Sequence, residues 1–449
     1  MKSDKKGLIA KVRAAGVVGA GGAGFPTHVK LGGQADTVII NGAECEPLLA
    51  VDVQLLERQA EHLVEALGRL VEALGAQAGV IAIKAKHQAA VDTLQQALTG
   101  SSSVRLHLLD DFYPVGDEQV LVYEVLGRTV PEGGIPLAVG SIVLNVETLL
   151  NIAAAWLDQP VITSYVTIAG EVEQPLTVGV PIGTPVSVLL DLAGGTTVSD
   201  YRVIEGGPMT GKLLSAEAID AGMAAVKKTT TGLVVLPADH WLIAQPHLSL
   251  GSILQRAQSA CCQCRLCTDL CPRHLLGHDI HPHLVLNSVN HGQTNNPAAI
   301  TQAFLCSDCG VCELYACPVE LSPRRMYQAI KAELLKQGCK NPHGRAVTPR
   351  AVWTGRHIPV NSLIARLGLG KYTRSAPWRE PAFSPRQVVI ALQQHIGMPA
   401  GAVVEVGDKV DIGQVIGLPP PDKLGAAVHA SIAGRVLEVT NEVIIIAGE

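Results

Sequence analysis

Eight of the eleven cysteines fall into two compact runs, and few folds can use them that way. The first run is Cys261, Cys264, Cys267 and Cys271, followed at once by Pro272, or C-x2-C-x2-C-x3-C-P. The second is Cys306, Cys309, Cys312 and Cys317, followed by Pro318, with one extra residue before its last cysteine. This is the ligand spacing of a protein holding two [4Fe–4S] clusters: iron prefers soft thiolates, and two-residue gaps turn consecutive sulfurs inward around one cubane. Where two such runs pair, the fourth cysteine of each serves the other cluster. Cys261, Cys264, Cys267 and Cys317 are then expected around one cluster, with Cys306, Cys309, Cys312 and Cys271 around the other. Two structural zincs or disulfides are the alternatives. Zinc needs only one C-x2-C pair per half-site, leaving the third cysteine and the Cys-Pro endings unexplained. The extra residue before Cys317 is expected to reshape or expose the cluster that Cys317 completes, making it the labile one. On spacing alone, the chain moves electrons.

At 449 residues the chain has room for about three or four domains. The apolar stretch Ser141 to Leu157 is interrupted by Asn145, Glu147, Thr148 and Asn151, so no transmembrane segment is expected. The N-terminus is basic but lacks the apolar core of a signal peptide, and a short helix is expected after Ser3. These features, with thiols kept free for cluster assembly, imply a reducing, cytoplasmic setting. A formal charge of −5 and 3% aromatic residues exclude the basic patches and stacking platforms of nucleic-acid binding.

Residues 1–155 alternate strand-like runs (38–41 and 79–84) with helical periodicity (52–74 and 87–98), the pattern of an α/β layer with a mostly parallel sheet. Residues 156–245 turn β-rich, with Gly and Pro turns. Residues 246–340 carry the cysteine runs among helical segments. Residues 341–385, rich in Pro, Arg, Gly and Ser, read as a linker or wrapping segment. Residues 386–449 are short strands at regular intervals, hence all-β.

Near the N-terminus, Gly19-Ala20-Gly21-Gly22-Ala23-Gly24-Phe25-Pro26-Thr27 precedes Lys30. Glycines this dense let a backbone approach a ligand and present N–H groups to an anion, with Lys30 available for a phosphate. A purely structural turn is the alternative. It is neither a Walker A loop nor a good Rossmann fingerprint, because the preceding stretch reads as helix. Three further polar clusters follow apolar runs: Asn41-Gly42-Ala43-Glu44-Cys45-Glu46-Pro47, Tyr113-Pro114-Val115-Gly116-Asp117-Glu118 and Asn145-Val146-Glu147-Thr148. Such loops line the carboxyl edge of an α/β sheet, where nucleotides bind.

Together these four motifs resemble the flavin-binding subunit of respiratory complex I and, more closely, the RnfC component of the Rnf ion-pumping complex. The resemblance implies a Rossmann-like FMN domain with NADH as electron donor. It implies that Gly19, Gly21, Gly22 and Lys30 hold the FMN phosphate. Asn41, Glu44, Glu46, Gly116, Asp117 and Glu118 line flavin and nicotinamide, Glu46 and Glu118 being the catalytic candidates, and Asn145 with Thr148 completes the site. Two departures stand out. Ala43 replaces an Asp, and Gly33 and Ile135 stand where complex I has dinucleotide-clamping aromatics. Cys45 reads as a small residue packed in its loop.

Residues 166–172 and Glu205-Gly206-Gly207-Pro208-Met209-Thr210-Gly211 resemble the β-grasp (SLBB) domain of the same families, a spacer between flavin and clusters. A helical ferredoxin-like two-cluster module follows. The tail, 405–417 and 428–436, resembles a barrel-sandwich hybrid, which the RnfC component carries at its N-terminus. Lys423 falls where a lipoyl domain has its modified lysine, although an unmodified hairpin-tip residue is the plainer reading. The fold class is thus multidomain α/β and α+β.

The permuted order resembles the cobalamin reductases of propanediol-utilising bacterial microcompartments. That likeness implies reduction of cob(III)alamin through cob(II)alamin to cob(I)alamin, with a cob(I)alamin adenosyltransferase and the microcompartment shell as partners. No corrinoid-binding D-x-H-x-x-G is present: His274 and Gly277 are spaced for it, but Pro272 takes the Asp position. His274, His278, His281 and His283 read as surface or supporting residues, with a further metal the alternative. An Rnf-type component passing electrons between NADH and ferredoxin, and a non-catalytic wiring or scaffold protein, remain as rival functions.

Overall fold

The computed structural model describes residues 5–22, 24–244, 248–290, 297–380 and 384–448. Ser3 and Ala23 lie outside them. The first unit is built on four parallel strands: β1 (Thr37–Gly42), β2 (Ala78–Lys84) and β3 (Val104–Leu109), with the later β5 (Ser141–Asn145) on the other side of β1. A short β4 (Phe112–Tyr113) stands outside this sheet. The strands are continuous apolar runs because both faces are covered. On one face, helices α1 (Lys5–Ala14), α3 (Val51–Arg58), α4 (Ala60–Leu74), α5 (Gln88–Ala97) and α7 (Val146–Trp156) bury Val38, Ile40, Ile81 and Leu144. A short α2 (Thr27–Gly32) follows the glycine loop. The expected helix 52–74 breaks at Gln59, which takes a non-helical conformation between α3 and α4.

The other face is covered by α6 (Glu118–Leu126), but not by α6 alone. Leu275 and Leu276 of the cysteine module and Trp353 of the 341–385 segment complete the core around Ile39, Val80 and Val143. Burying one such side chain is worth about 1.5–3 kcal/mol, so the flavin-type sheet draws part of its stability from later chain.

The β-grasp unit has β6 (Thr163–Gly170), β7 (Leu176–Pro181), β8 (Tyr201–Glu205), β9 (Lys212–Leu213) and β10 (Gly232–Pro237). They lie in the order β7-β6-β10-β8-β9, with β6 and β10 parallel and the other neighbours antiparallel. The cysteine module is helical. Helices Leu250–Ala260, Pro282–Asn290 and Pro323–Lys336 surround a core that includes Cys271, Cys317 and Tyr327.

The segment expected as a linker or wrapping segment wraps. Arg345 pairs with Glu132 at 2.8 Å, Arg350 Nε donates to the His274 carbonyl at 2.8 Å, and Trp353 Nε1 donates to Glu124 at 2.8 Å. Its strand β11 (Ile358–Pro359) pairs with β4, and β12 (Trp378–Arg379) extends the β-grasp sheet beside β7. This strap ties three units into one body. The C-terminal unit has two sheets, of four and three strands, closed around Val388, Ile390, Ile416, Ile444 and Ile446. Lys423 lies exposed midway along the loop that joins the antiparallel strands Val415–Leu418 and Val428–His429, at the tip of a long-looped hairpin.

Candidate flavin cleft and cysteine cradles

From β1 the chain runs outward to β2 and β3, whereas β5 lies on the opposite side, so a crevice opens where the order reverses. Asn41 and Asn145 are register partners there, at the carboxyl ends of their strands. Asn41 Nδ2 donates to the Gly116 carbonyl at 2.9 Å, and its Oδ1 accepts from the Ala43 N–H at 3.2 Å. Asn145 Nδ2 donates to both oxygens of Asp52, at 2.8 and 3.0 Å, while its Oδ1 caps α7 by accepting from the Glu147 N–H. Capping residues favour this position because a helix start leaves N–H groups unpaired.

The glycine loop closes on a Val18–Pro26 bridge, with the Gly19 N–H donating to the Phe25 carbonyl at 3.0 Å. Thr148 Oγ1 accepts from the Ala20 N–H at 3.0 Å and pins the loop to α7. Gly21 faces Asn145, where a Cβ would stand 3.4 Å from the asparagine Cβ. Gly22, at φ +108°, is exposed in a conformation that side chains resist. Lys30 Nζ donates to Glu118 Oε1 at 2.8 Å and to the Val143 carbonyl at 2.9 Å, which engages two of its three donors. Glycine loop, lysine, paired asparagines and half-exposed acids thus surround one crevice, a donor set that fits a flavin with its phosphate on the glycines. Cys45 packs against Gly116, and burial pushes its thiol up to about 12, which keeps it a neutral packing residue.

Two of the expected ligands have their carboxyls engaged elsewhere. Glu46 accepts from the Met209 N–H at 2.9 Å and from Thr210 Oγ1 at 2.6 Å. A Cβ on Gly207 would fall 2.1 Å from Glu46 Oε2, so the β-grasp turn 206–211 reaches over this acid as a tongue that seats closely on it because position 207 is glycine. Asp117 caps α6 and pairs with Arg273 at 2.5 and 3.0 Å. At Gly33 a Cβ would already meet Leu137, 2.7 Å away, and Ile135 is 61% exposed, so neither position builds an aromatic clamp.

The two cysteine runs share one backbone device. Gln263 and Arg265 in the first, and Asp308 and Gly310 in the second, all have positive φ at matching places around the second cysteine. Such left-handed residues turn successive N–H groups inward and form an anion-holding nest. The Asp308 N–H points at Cys306 Sγ (3.4 Å) and the Leu321 N–H at Cys317 Sγ (3.3 Å). Burial, then the proximity of Cys317, Cys264, Cys261 and, more weakly, Cys271, pushes the Cys267 thiol up to about 12. Cys312 is pushed up in the same way by burial, Cys306, Cys309 and, more weakly, Cys271. Cys317 thus lies near Cys267 of the first run and Cys271 near Cys309 of the second, the approach that a crossed pairing requires. Among the described residues no three potential ligands close on a single ion, and a cubane's ligands stand around a whole cluster.

The extra residue before Cys317 is absorbed as a π-helical turn, Val311–Tyr315, whose Ala316 N–H reaches back to the Val311 carbonyl at 2.8 Å. Cys317 stays buried, and what opens its cradle to solvent is the segment 262–265 of the first run. Of the four histidines, His274 and His278 are buried, and burial lowers both to about 4. His281 bonds Asp279 and His283 bonds Thr268, so these rings brace the module.

A model of the Nuo51 FMN-binding domain matches residues 12–154, the SLBB domain 165–213, a 4Fe-4S dicluster domain 260–322 and the RnfC barrel sandwich hybrid domain 371–449. The cobalamin reductase PduS of Citrobacter freundii is 44% identical over 445 residues, covering 98% of this chain and 96% of that protein. That of Salmonella typhimurium strain LT2 is 46% identical over 440 residues, covering 97% and 95%. The chain belongs to the PduS cobalamin reductase family. The RnfC-type component of the Na(+)-translocating ferredoxin:NAD(+) oxidoreductase complex of Acetobacterium woodii is 34% identical over 288 residues, 63% of this chain and 61% of that one. Among solved structures, an NAD+-reducing [NiFe]-hydrogenase in the H2-reduced state aligns with a TM-score of 0.50 at 22% identity, covering 76% of this chain and 64% of that one, a likeness of fold. As a PduS-family oxidoreductase, the chain carries an FMN-binding domain and a 4Fe-4S dicluster domain for flavin and iron–sulfur electron transfer.

Sequence alone misses Asp52, Arg273 and the tongue's grip on Glu46, and gives Glu147, inside the Asn145–Thr148 cluster, no role of its own. Only the tongue had a local signal, its dense glycines; the others gain meaning from partners far along the chain.

Proposed function

We propose that this protein carries electrons from NADH, through FMN in the crevice and two [4Fe–4S] clusters, to cob(III)alamin and then cob(II)alamin. When bound, FMN exchanges the two electrons of a hydride for the single-electron steps that cubanes accept. The residues divide the work. Gly19, Gly21, Gly22 and Lys30 would hold the phosphate; Asn41, Glu44, Gly116, Glu118, Asn145 and Thr148 would frame the ring and the nicotinamide. Cys271, Cys306, Cys309 and Cys312 would ligate the inner cluster, and Cys261, Cys264, Cys267 and Cys317 the outer one.

The observation that carries this order is an asymmetry between the cradles. The inner one is locked to the crevice by Arg273 on Asp117 and by Tyr113, whose hydroxyl donates to the Cys309 carbonyl at 2.7 Å. The outer one presents Cys262, Gln263, Cys264 and Arg265 to solvent. Electrons enter where protein contacts are dense and leave where a partner has access. His274 bonds the Ile280 carbonyl at 3.0 Å, and a Cβ on Gly277 would meet the Thr348 carbonyl. A corrinoid is therefore met at the outer edge, in passing or with the adenosyltransferase. A cytoplasmic site of action inside a propanediol microcompartment belongs to the same reading. Among the described residues no helix is long and apolar enough to cross a membrane.

Anaerobic reconstitution with iron, sulfide and FMN tests the proposal. NADH should bleach the cluster absorbance, and added hydroxocobalamin should then pass to the cob(II)alamin spectrum. Bound FMN and clusters with no NADH oxidation would falsify the donor assignment, and NADH-reduced protein that leaves cobalamin unchanged would remove the acceptor.

A further inference from the structure

Three carboxyl groups gather beneath the glycine loop, and Asp52 is the middle one. Its backbone N–H donates to Glu44 Oε2 at 3.4 Å, and its own carboxyl takes both contacts from the Asn145 amide. Glu147, near the start of α7, is close enough for Asp52 to repel its charge and is 1% exposed. Neither oxygen of Glu147 closes a hydrogen bond, although the Tyr165 backbone approaches. Glu44 and Asp52 keep part of their surface open while protein encloses them, as groups at the floor of a cleft do. The cation that acts on Glu44 is Lys84, 1% exposed, which pairs with Asp111 Oδ1 at 3.0 Å and donates to the main-chain carbonyl of Glu44 at 3.3 Å. Among the described residues, Glu46, Cys45 and Tyr165 are the other titratable groups that face the trio, and none brings a positive charge.

Three carboxylates cannot all ionise in such a place, because each loses hydration and repels the next. We infer that Glu44, Asp52 and Glu147 form one proton-holding site, partly protonated at neutral pH, which exchanges a proton with the crevice when the charge on the glycine loop changes. Burial first, then the neighbouring acid, holds Glu44 and Glu147 well above the usual carboxylate range, and burial lifts Asp52 to about 7. Asn145 links the site to the loop, bonding Asp52 on one side and facing Gly21 on the other.

The inference rests on the flavin reading and adds what that reading lacks. A hydride brings two electrons and one proton into the crevice; the cysteines lead out two single electrons. One proton per turnover is left, as NADH and two oxidised clusters become NAD+, H+ and two reduced clusters. The trio has oxygens to receive it. An incoming dianionic phosphate should likewise draw a proton onto these carboxyls.

FMN binding to the cluster-loaded, flavin-free chain tests this by titration calorimetry at pH 8, in two buffers of unlike ionisation enthalpy. The FMN phosphate, with a second pKa of about 6, is already a dianion there, so any proton taken up belongs to the protein. The expected result is net uptake approaching about one proton per FMN in the native chain, and its loss in Asp52→Asn with flavin still bound. Binding without proton exchange overturns the inference. A chain that binds no FMN overturns the flavin reading instead. The carboxyl site is then decided by infrared spectroscopy of the flavin-free chain: a protonated-carboxyl stretch should be present and diminished in Glu147→Gln. Absence of that stretch from the native chain overturns the inference whatever the flavin does.

Discussion

Arg273 lays both arms of its guanidinium on the carboxylate of Asp117, across 156 residues of chain, with both side chains nearly buried. Asp117 also caps α6 in the flavin-type unit, and Arg273 stands two residues after Cys271 in the cysteine module. A bidentate arginine–carboxylate pair fixes angle as well as distance. The pair therefore sets where the inner cradle stands relative to the crevice, and Tyr113 on the Cys309 carbonyl supplies a second fixed point.

Removing one partner should be costly. Asp117→Ala leaves a buried guanidinium unpaired, a change of about 3–5 kcal/mol for buried pairs, and deletes a helix cap worth about 1 kcal/mol. The thermal midpoint should drop sharply. Arg273→Lys, which keeps the charge but loses the fork, should fold, retain both clusters and slow NADH-dependent cluster bleaching in stopped flow. Unchanged bleaching in Arg273→Lys would show that the pair does not position the inner cradle.

The tongue makes a separate, steric prediction. Gly207→Ala places a Cβ 2.1 Å from Glu46 Oε2, so the tongue or the Glu46 side chain must shift, at roughly 1–3 kcal/mol. Glu46→Ala alone leaves the Met209 N–H and Thr210 hydroxyl without their acceptor. In the double variant the clash disappears, so its loss of stability should be smaller than the sum of the two single losses. Thermal midpoints of the four proteins check the cycle, and strict additivity would mean that tongue and acid do not meet.

What was legible in the sequence is what chemistry confines to short stretches. Cluster ligands must repeat at fixed spacing, so the cysteine runs declare themselves. Close backbone approach needs glycine, and strand ends need capping polar groups, so Gly21, Gly22, Asn41 and Asn145 stand out. Glu46 and Asp117 were read as flavin ligands because a motif shows residue type, not partner. Thr210 and Arg273 lie about 160 residues further on, and no local pattern points to them. The strap had no periodicity to read, since its order comes from single arginine, tryptophan and backbone contacts. The π turn in the second run was visible only as one residue too many.

The crossed ligand set proposed above predicts which variants will behave alike. Cys271→Ser should match Cys306→Ser, and Cys317→Ser should match Cys261→Ser, despite each pair joining different runs. Iron content and electron paramagnetic resonance of the reduced proteins should sort the four variants into these two classes. Brief exposure of the native protein to air should then remove the signal of the Cys261 and Cys317 class first, because its cradle is the one open to solvent. Sorting by run instead would mean that each run holds its own cluster.

Lys228 gives a pH dependence of definite sign. It is buried where three units meet and donates to the Gly16 and Ala427 carbonyls, each at 2.7 Å. His395 and His429 face it and stay neutral through burial, and among the described residues no anion supports its charge. Desolvation lowers its pKa from 10.5 to about 7. A neutral amine still has two hydrogens, one for each carbonyl, so the junction survives deprotonation. Between about pH 7 and 10.5 the unfolded chain binds the proton that the folded chain has released, so stability rises with pH across that window. Below about 7 both states are protonated and the cost of the buried charge is constant. Lys228→Met carries no such proton. Thermal midpoints of the cluster-loaded proteins, measured anaerobically from pH 7 to 10, should therefore climb in the native chain relative to the variant. Parallel curves would mean that Lys228 keeps an ordinary lysine pKa.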